Sequence, residues 1–324
     1  MKGRLCLTAV SMLMLTLGSL SALVPTASGQ GSWTAMADTP DPNYPVRMGG
    51  SLTYVSSDYI YAFQGHASGE TPQIGKFWRY SISGNAWTSM ADAPSEVAWG
   101  GALTWAGGDY IYALQGNGTD NFWRYSISGD SWTTVADTPT WGVRWGGSLA
   151  WTMDDFIYAF RGDYTTTFWR YSISANTWVT MTAAPDTIHA GGALAWAGGD
   201  YIYALRGNGT TDFWCYSISG GSWETMAATP SAVGEGGALA HDGGDYIYAL
   251  RGNGTRDFWR YNISTDRWET MNTTPAAVGM GGALSYTDGG IYALRGNSTD
   301  FWWFKPEHKI YLPLAACRSE KGSP

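Results

Sequence analysis

Short apolar runs of four to six residues, broken by Gly, Asn and Asp, recur along this chain in one fixed order. The order is marked by double glycines at Gly49-Gly50, Gly100-Gly101, Gly146-Gly147, Gly191-Gly192, Gly236-Gly237 and Gly281-Gly282, spaced 51, 46, 45, 45 and 45 residues apart. A Tyr-rich run follows each pair, then Phe-Trp, then a lone Trp, which the last copy lacks. In the fourth copy the pattern predicts an innermost strand over Ala193–Ala197, a second over Tyr201–Arg206, a third over Phe213–Ile218 and an outermost strand over Trp223–Met226. Gly-Gly-Asp, Asn208-Gly209 and Gly220-Gly221 supply the turns, the Asn-Gly pair being suited to positive backbone dihedrals. Pro230 then stops pairing before the chain crosses to the next copy. Four short strands per unit, no helix and a period in the mid-forties predict an all-β fold: a six-bladed propeller with blades starting near residues 49, 100, 146, 191, 236 and 281.

Two defects in the pattern complement each other. Trp33 begins an SWTAMADTP segment that matches the end of a blade but has no strands before it, while the sixth copy has Phe301-Trp302 and then breaks at Lys305, Pro306 and Glu307 without its outer Trp strand. Residues 32–37 are therefore expected to complete the last blade and close the ring, which removes an open seam. A competing closure would use Ile310 to Leu314.

Composition adds the compartment. Lys2 and Arg4 precede an apolar run from Leu5 to Val24, ending at Pro25 and the small residues Ala27, Ser28 and Gly29. Residues 1–29 have the layout of a secretory signal peptide cleaved after Gly29, and the run is also long enough for a retained membrane anchor. Its removal leaves 17 basic against 27 acidic side chains, a net charge of −10, which argues against nucleic acid as a partner. Residues 30–304 then form the propeller and 305–324 a tail of unassigned role. A secreted or cell-surface location is expected, with the chain a monomer. Of the two cysteines outside the leader, Cys215 takes a slot filled by Arg79, Arg124, Arg170 and Arg260 in other copies, and Cys317 lies in the tail. An oxidising compartment permits a disulfide between them.

The double glycine, the Tyr of the second strand, the Tyr of the third and the Trp of the fourth together resemble Kelch repeats, the units of Kelch β-propellers and of the galactose-oxidase-type propeller. The likeness spans residues 32–304 and implies a fold rather than an activity. One departure stands out: where Kelch repeats end the second strand on a double glycine, this chain has Gln64-Gly65 or Arg206-Gly207, so that a polar side chain enters there.

Six versions of one unit provide an internal control, because positions shared by every copy are expected to hold blades together and varying positions are free for function. Trp78, Trp123, Trp169, Trp214, Trp259 and Trp302 recur in register, as do Trp33, Trp87, Trp132, Trp178, Trp223 and Trp268, and all twelve are assigned to packing. Gln64, Gln115, Arg161, Arg206, Arg251 and Arg295 form one polar position per blade at the edge where second-to-third loops emerge. Each Arg is read either as paired with the carboxylate of its own loop (Asp163, Asp212, Asp257 or Asp300) or as part of a rim that recognises anions. The segments between blades vary most and reach the same face. They carry Arg47, Trp99, Trp141, Arg144, Trp145, His189 and Glu235, which either bind a ligand or plug the channel. The longer loop from His66 to Lys76 is placed to act as a flap over that face.

Catalytic chemistry is not legible. The four histidines, His66, His189, His241 and His308, fall in different blades or the tail, so neither a metal site nor a cofactor is expected, and the copper site of galactose-oxidase-type enzymes has no counterpart. Glu96 and Glu235 keep open a carbohydrate-active enzyme, a paired-acid glycosidase or a lyase, and a purely structural cell-surface protein is a further alternative. The reading that follows is a secreted, non-catalytic recognition propeller that binds a glycan or a protein on the face of the interblade loops.

Overall fold

The computed structural model describes residues 30–66, 75–139 and 141–307. The leader, most of the 66–76 loop, and residues 308–324 of the tail, with His308, Cys317 and the alternative closing strand at 310–314, lie outside these residues.

Six antiparallel sheets of four strands form a ring. The inner strands are Ser51–Ser56, Ala102–Trp105, Ser148–Trp151, Ala193–Trp196, Ala238–His241 and Ala283–Thr287. They contact one another in sequence order, and the sixth contacts the first. Within the fourth blade the other strands are Tyr201–Leu205, Phe213–Ser217 and Ser222–Thr225, each within one residue of the expected bounds. Among the described residues there is no helix.

Ring closure is of the expected kind. Ser32–Ala35 is the outer strand of the sixth blade, with Ser32 opposite Lys305, Trp33 opposite Phe304, Thr34 opposite Trp303 and Ala35 opposite Trp302. The first and last strands of the propeller thus share one sheet, and the outer edge of Phe301–Lys305 is taken.

Packing explains why a 45-residue unit needs its neighbours. In the middle strands both faces are buried, and the apolar side chains gather into six clusters, each spanning two adjacent blades. One blade alone would leave two apolar faces in water. The Trp of every outer strand clamps the preceding blade, its indole N–H donating to a carbonyl there: Trp87 to Ala37, Trp132 to Ala91, Trp178 to Ala136 and Trp268 to Ala227 at 2.9 Å, Trp223 to Thr182 at 3.1 Å and Trp33 to Asn272 at 3.0 Å. The packing role expected of the twelve recurrent tryptophans is the one observed.

The double glycines form the throat of the central channel. The first glycine of each pair has φ between +82° and +88°, a region costly for any residue with a Cβ. A Cβ there would also collide with a carbonyl oxygen of the next blade: Ala98 for Gly49, Arg144 for Gly100, His189 for Gly146, and round the ring to Arg47 for Gly281. Backbone meets backbone at six equivalent places, which no other residue allows.

Candidate functional site

The interblade segments and the second-to-third loops meet on one face. Short bridges tie them at Thr119 with Val143, Thr165 with Ile188, Thr210 with Val233, Thr255 with Val278 and Val46 with Ser298. The frame beneath the variable residues is therefore fixed by backbone pairing.

The polar ring braces this frame. Arg206, Arg251 and Arg295 each donate Nε to an interblade carbonyl at 3.0 Å (Thr187, Ala232 and Ala277) and a terminal nitrogen to Asp212, Asp257 and Asp300 at 2.7 Å. Arg206 also meets Asp186 at 3.0 Å. Arg161 holds the carbonyls of Gly142 and Trp141 at 3.1 and 3.0 Å, with Asp163 at 3.7 Å. Gln64 donates to the Tyr44 carbonyl, and Gln115 accepts from Asn121; both are buried. Pairing of each Arg with the acid of its own loop matches the simpler of the two sequence readings. These side chains position the loops and are largely occupied in doing so.

At the mouth of the channel stand the six residues that precede the double glycines: Met48, Trp99, Trp145, Ala190, Glu235 and Met280. The opening is shallow, with a cavity of about 100 Å³. Around it the aromatic side chains form a ladder that breaks the sixfold symmetry. Trp99 stacks on Trp145 with centroids 5.3 Å apart and planes at 12°, Trp145 on His189 at 5.9 Å and 25°, and His189 on Tyr164 at 3.7 Å and 21°. Trp99 directs its indole N–H at the Met48 sulfur. Burial in this stack pushes the His189 imidazole below its usual pKa, against the pull of Asp163.

Two members of this sector sit on strained backbone. Trp141 has φ +60° and is 84% exposed; Tyr164 has φ +56° and is 58% exposed. The positions equivalent to Tyr164 are Gly118, Gly209 and Gly254, where a left-handed conformation is cheap. Trp141 is a one-residue insertion, since the linker stretch from Pro139 to Val143 is one residue longer than Pro185 to Ile188, Pro230 to Val233 and Pro275 to Val278, and it accounts for the 46-residue spacing. Arg161 holds the inserted residue by its carbonyl. Backbone strain of this kind costs of order 1–3 kcal/mol and gathers where function requires it.

Sequence reasoning named Trp99, Trp141, Trp145 and His189, and the structure brings them into one sector with Tyr164, which it missed. The signal was present as Asp163-Tyr164 in a slot that reads Asn-Gly in the second, fourth and fifth copies. Arg144 is exposed and lies across Gly118 in the same sector. Arg47 lies two residues before its double glycine, its N–H bonded to the Gln64 carbonyl at 2.9 Å, and Glu235 lines the channel mouth. Glu96 is engaged elsewhere: its Oε1 lies 2.5 Å from Nδ1 of the buried His66. Among the described residues no group of three or more His, Cys, Asp or Glu is placed to hold a metal ion. Cys215 is buried and free at the interface between the fourth and fifth blades. Burial pushes its thiol up to about 12.

No protein-family model matches this chain, and no similar protein was found among curated sequences. The assignment of six four-stranded blades in a closed ring rests on the chain's own residues.

Proposed function

We propose that this chain is a secreted, Kelch-like recognition propeller whose ligand is a glycan, held on the face of the interblade loops between the second and fourth blades. The single observation that carries the reading is the ladder Trp99–Trp145–His189–Tyr164, flanked by exposed Trp141, in a ring that is otherwise repetitive. Exposed aromatic faces stack on sugar rings, and Trp and Tyr keep their contact area at low entropic cost. Glu235, Asp163 and the loop amides Asn117 and Asn208 offer polar partners for hydroxyl groups beside that platform. The shallow mouth suits a chain lying across the surface better than an enclosed small molecule. The leader-like residues 1–29 support secretion.

The test is a glycan array and pull-down with the full chain and an Arg144→Ala/Trp145→Ala variant. Binding that disappears in the variant is the expected result; undiminished binding would exclude this face. Protein captured instead of glycan would replace the ligand class. Polysaccharide turnover abolished by Glu235→Gln would replace recognition with catalysis.

A further inference from the structure

The opposite end of the central channel opens into a second cavity of about 650 Å³, and its walls differ in kind from those of the mouth. The fourth residue after each double glycine points here, and at all six positions it is aromatic: Tyr54, Trp105, Trp151, Trp196, His241 and Tyr286. None of the twelve recurrent packing tryptophans belongs to this set. Four of the six have a ring nitrogen bonded within a turn. Trp105, Trp151 and Trp196 donate to the carbonyls of Gly108, Asp154 and Gly199 at 3.2, 2.8 and 3.2 Å, and His241 Nε2 is 3.0 Å from the Gly244 carbonyl. Those bonds fix the four rings in place and leave their π-surface for a ligand.

The charge of the cavity has one sign. Its lining includes Asp288 and contains no Lys, Arg, Asn or Gln. Asp242 stands directly behind, its carboxylate fixed by the N–H groups of Gly244 at 2.8 Å and Tyr246 at 3.1 Å. Burial raises the phenol pKa of Tyr54 and Tyr286, with Asp288 adding to it at both and Asp242 at Tyr286, as a negative field requires. An anion would find no Lys or Arg here. A sugar would lack the amide and guanidinium groups that read its hydroxyls. A cation with an apolar shell is served by both features, since aromatic faces attract it and the carboxylates compensate its charge.

We propose that this cavity is a binding site for a small organic cation of the quaternary-ammonium class, held by the aromatic ring at the ends of the inner strands and by Asp288. The size is within the range for a small-molecule site. The cavity shares no lining residue with the channel mouth at the other end.

The experiment is calorimetric titration of the full chain with choline, with 3,3-dimethylbutan-1-ol as its uncharged isostere, and with cellobiose. Choline is expected to bind with a millimolar or tighter Kd, and the isostere at least about tenfold more weakly. Trp151→Leu and the exposed Asp288→Asn should each weaken choline about threefold to thirtyfold, and Trp141→Ala on the far face should leave it unchanged. Because Asp288→Asn leaves the packing intact, its effect is readable even where Trp151→Leu perturbs the blade. Absence of choline binding, equal affinity for choline and its isostere, preference for cellobiose, or indifference to Asp288→Asn would each overturn the proposal.

Discussion

The indole N–H of Trp33 donates a 3.0 Å hydrogen bond to the main-chain carbonyl of Asn272, 239 residues further along the chain. Asn272 answers through its side-chain amide, which donates to the Gly31 carbonyl at 2.6 Å. This pair repeats at the seam the clamp that every other outer-strand Trp makes on the blade before it. The seam is thus built like the interfaces within the chain. Trp33→Ala should cost about 3 kcal/mol, and Trp178→Ala the same within about 1 kcal/mol. Denaturant unfolding of the two variants checks this. A Trp33 variant indistinguishable from wild type would mean the ring does not depend on its closing strand.

A second prediction concerns the fourth blade, whose turn before the outer strand carries no side-chain acceptor for its Tyr hydroxyl. In four blades an Asn or Asp in the turn before the outer strand accepts from a Tyr hydroxyl, as Asn85 from Tyr80 and Asp130 from Tyr125, and from a backbone N–H of the preceding blade, as from Ala37 and Ala91. The fourth blade has Gly221 at this position, and the buried Tyr216 hydroxyl has no partner. Gly221 has φ +61°, which Asn tolerates, and an added Cβ meets nothing nearer than the Tyr216 hydroxyl at 4.0 Å. Gly221→Asn should therefore stabilise the protein by about 1 kcal/mol, read as a raised unfolding midpoint. An unchanged or lowered midpoint would contradict the account of the turn.

Acid should loosen the rim opposite the interblade-loop face. Asp109 accepts from the Ser126 hydroxyl at 2.6 Å and from the Ser128 N–H at 2.7 Å, and these bonds hold its carboxyl below the usual 3.8. Asp155 and Asp200 are lowered by the matching serines, and Asp58 first by the Ser83 N–H. A carboxylate lowered in the folded state stabilises above its unfolded pKa, and that contribution fades as pH falls through the folded value. Unfolding midpoints should drop between pH 5 and the region below 3.8, about where these acids take up protons, and Asp109→Asn/Asp155→Asn should flatten the drop. An identical pH profile in the variant would remove these turns as its cause.

Tyr164 offers a test of strain kept for function. Glycine at this position releases the left-handed backbone, a gain of about 1 kcal/mol, and deletes the stack on His189. Tyr164→Gly should be at least as stable as wild type and bind ligand more weakly. A destabilised variant with unaltered binding would assign Tyr164 to packing.

Blade number and closure were legible in the sequence because each copy must bury two apolar faces, so the period, the orphan Trp33 strand and the missing strand after Trp302 constrain one another. The bracing role of Arg206, Arg251 and Arg295 was legible too, since an Asp returned in the same loop each time. The aromatic ladder was legible only as a set of names. Whether Trp99, Trp145 and His189 touch depends on the radius of the glycine throat, which no linear pattern encodes. Tyr164 escaped because a single residue in a glycine slot carries no period. The six aromatics from Tyr54 to Tyr286 escaped for another reason: Tyr, Trp and His share a position but not a letter, and their convergence appears only when six inner strands face one axis.

The measurement that bears most directly on the recognition reading is the affinity, by calorimetry, of the array-selected glycan for wild type and for Trp141→Ala/Tyr164→Gly. The account predicts a loss of about tenfold or more, the worth of two aromatic contacts, with the fold intact by circular dichroism and with choline binding at the far cavity unaltered. Equal glycan affinity in the two proteins would contradict it.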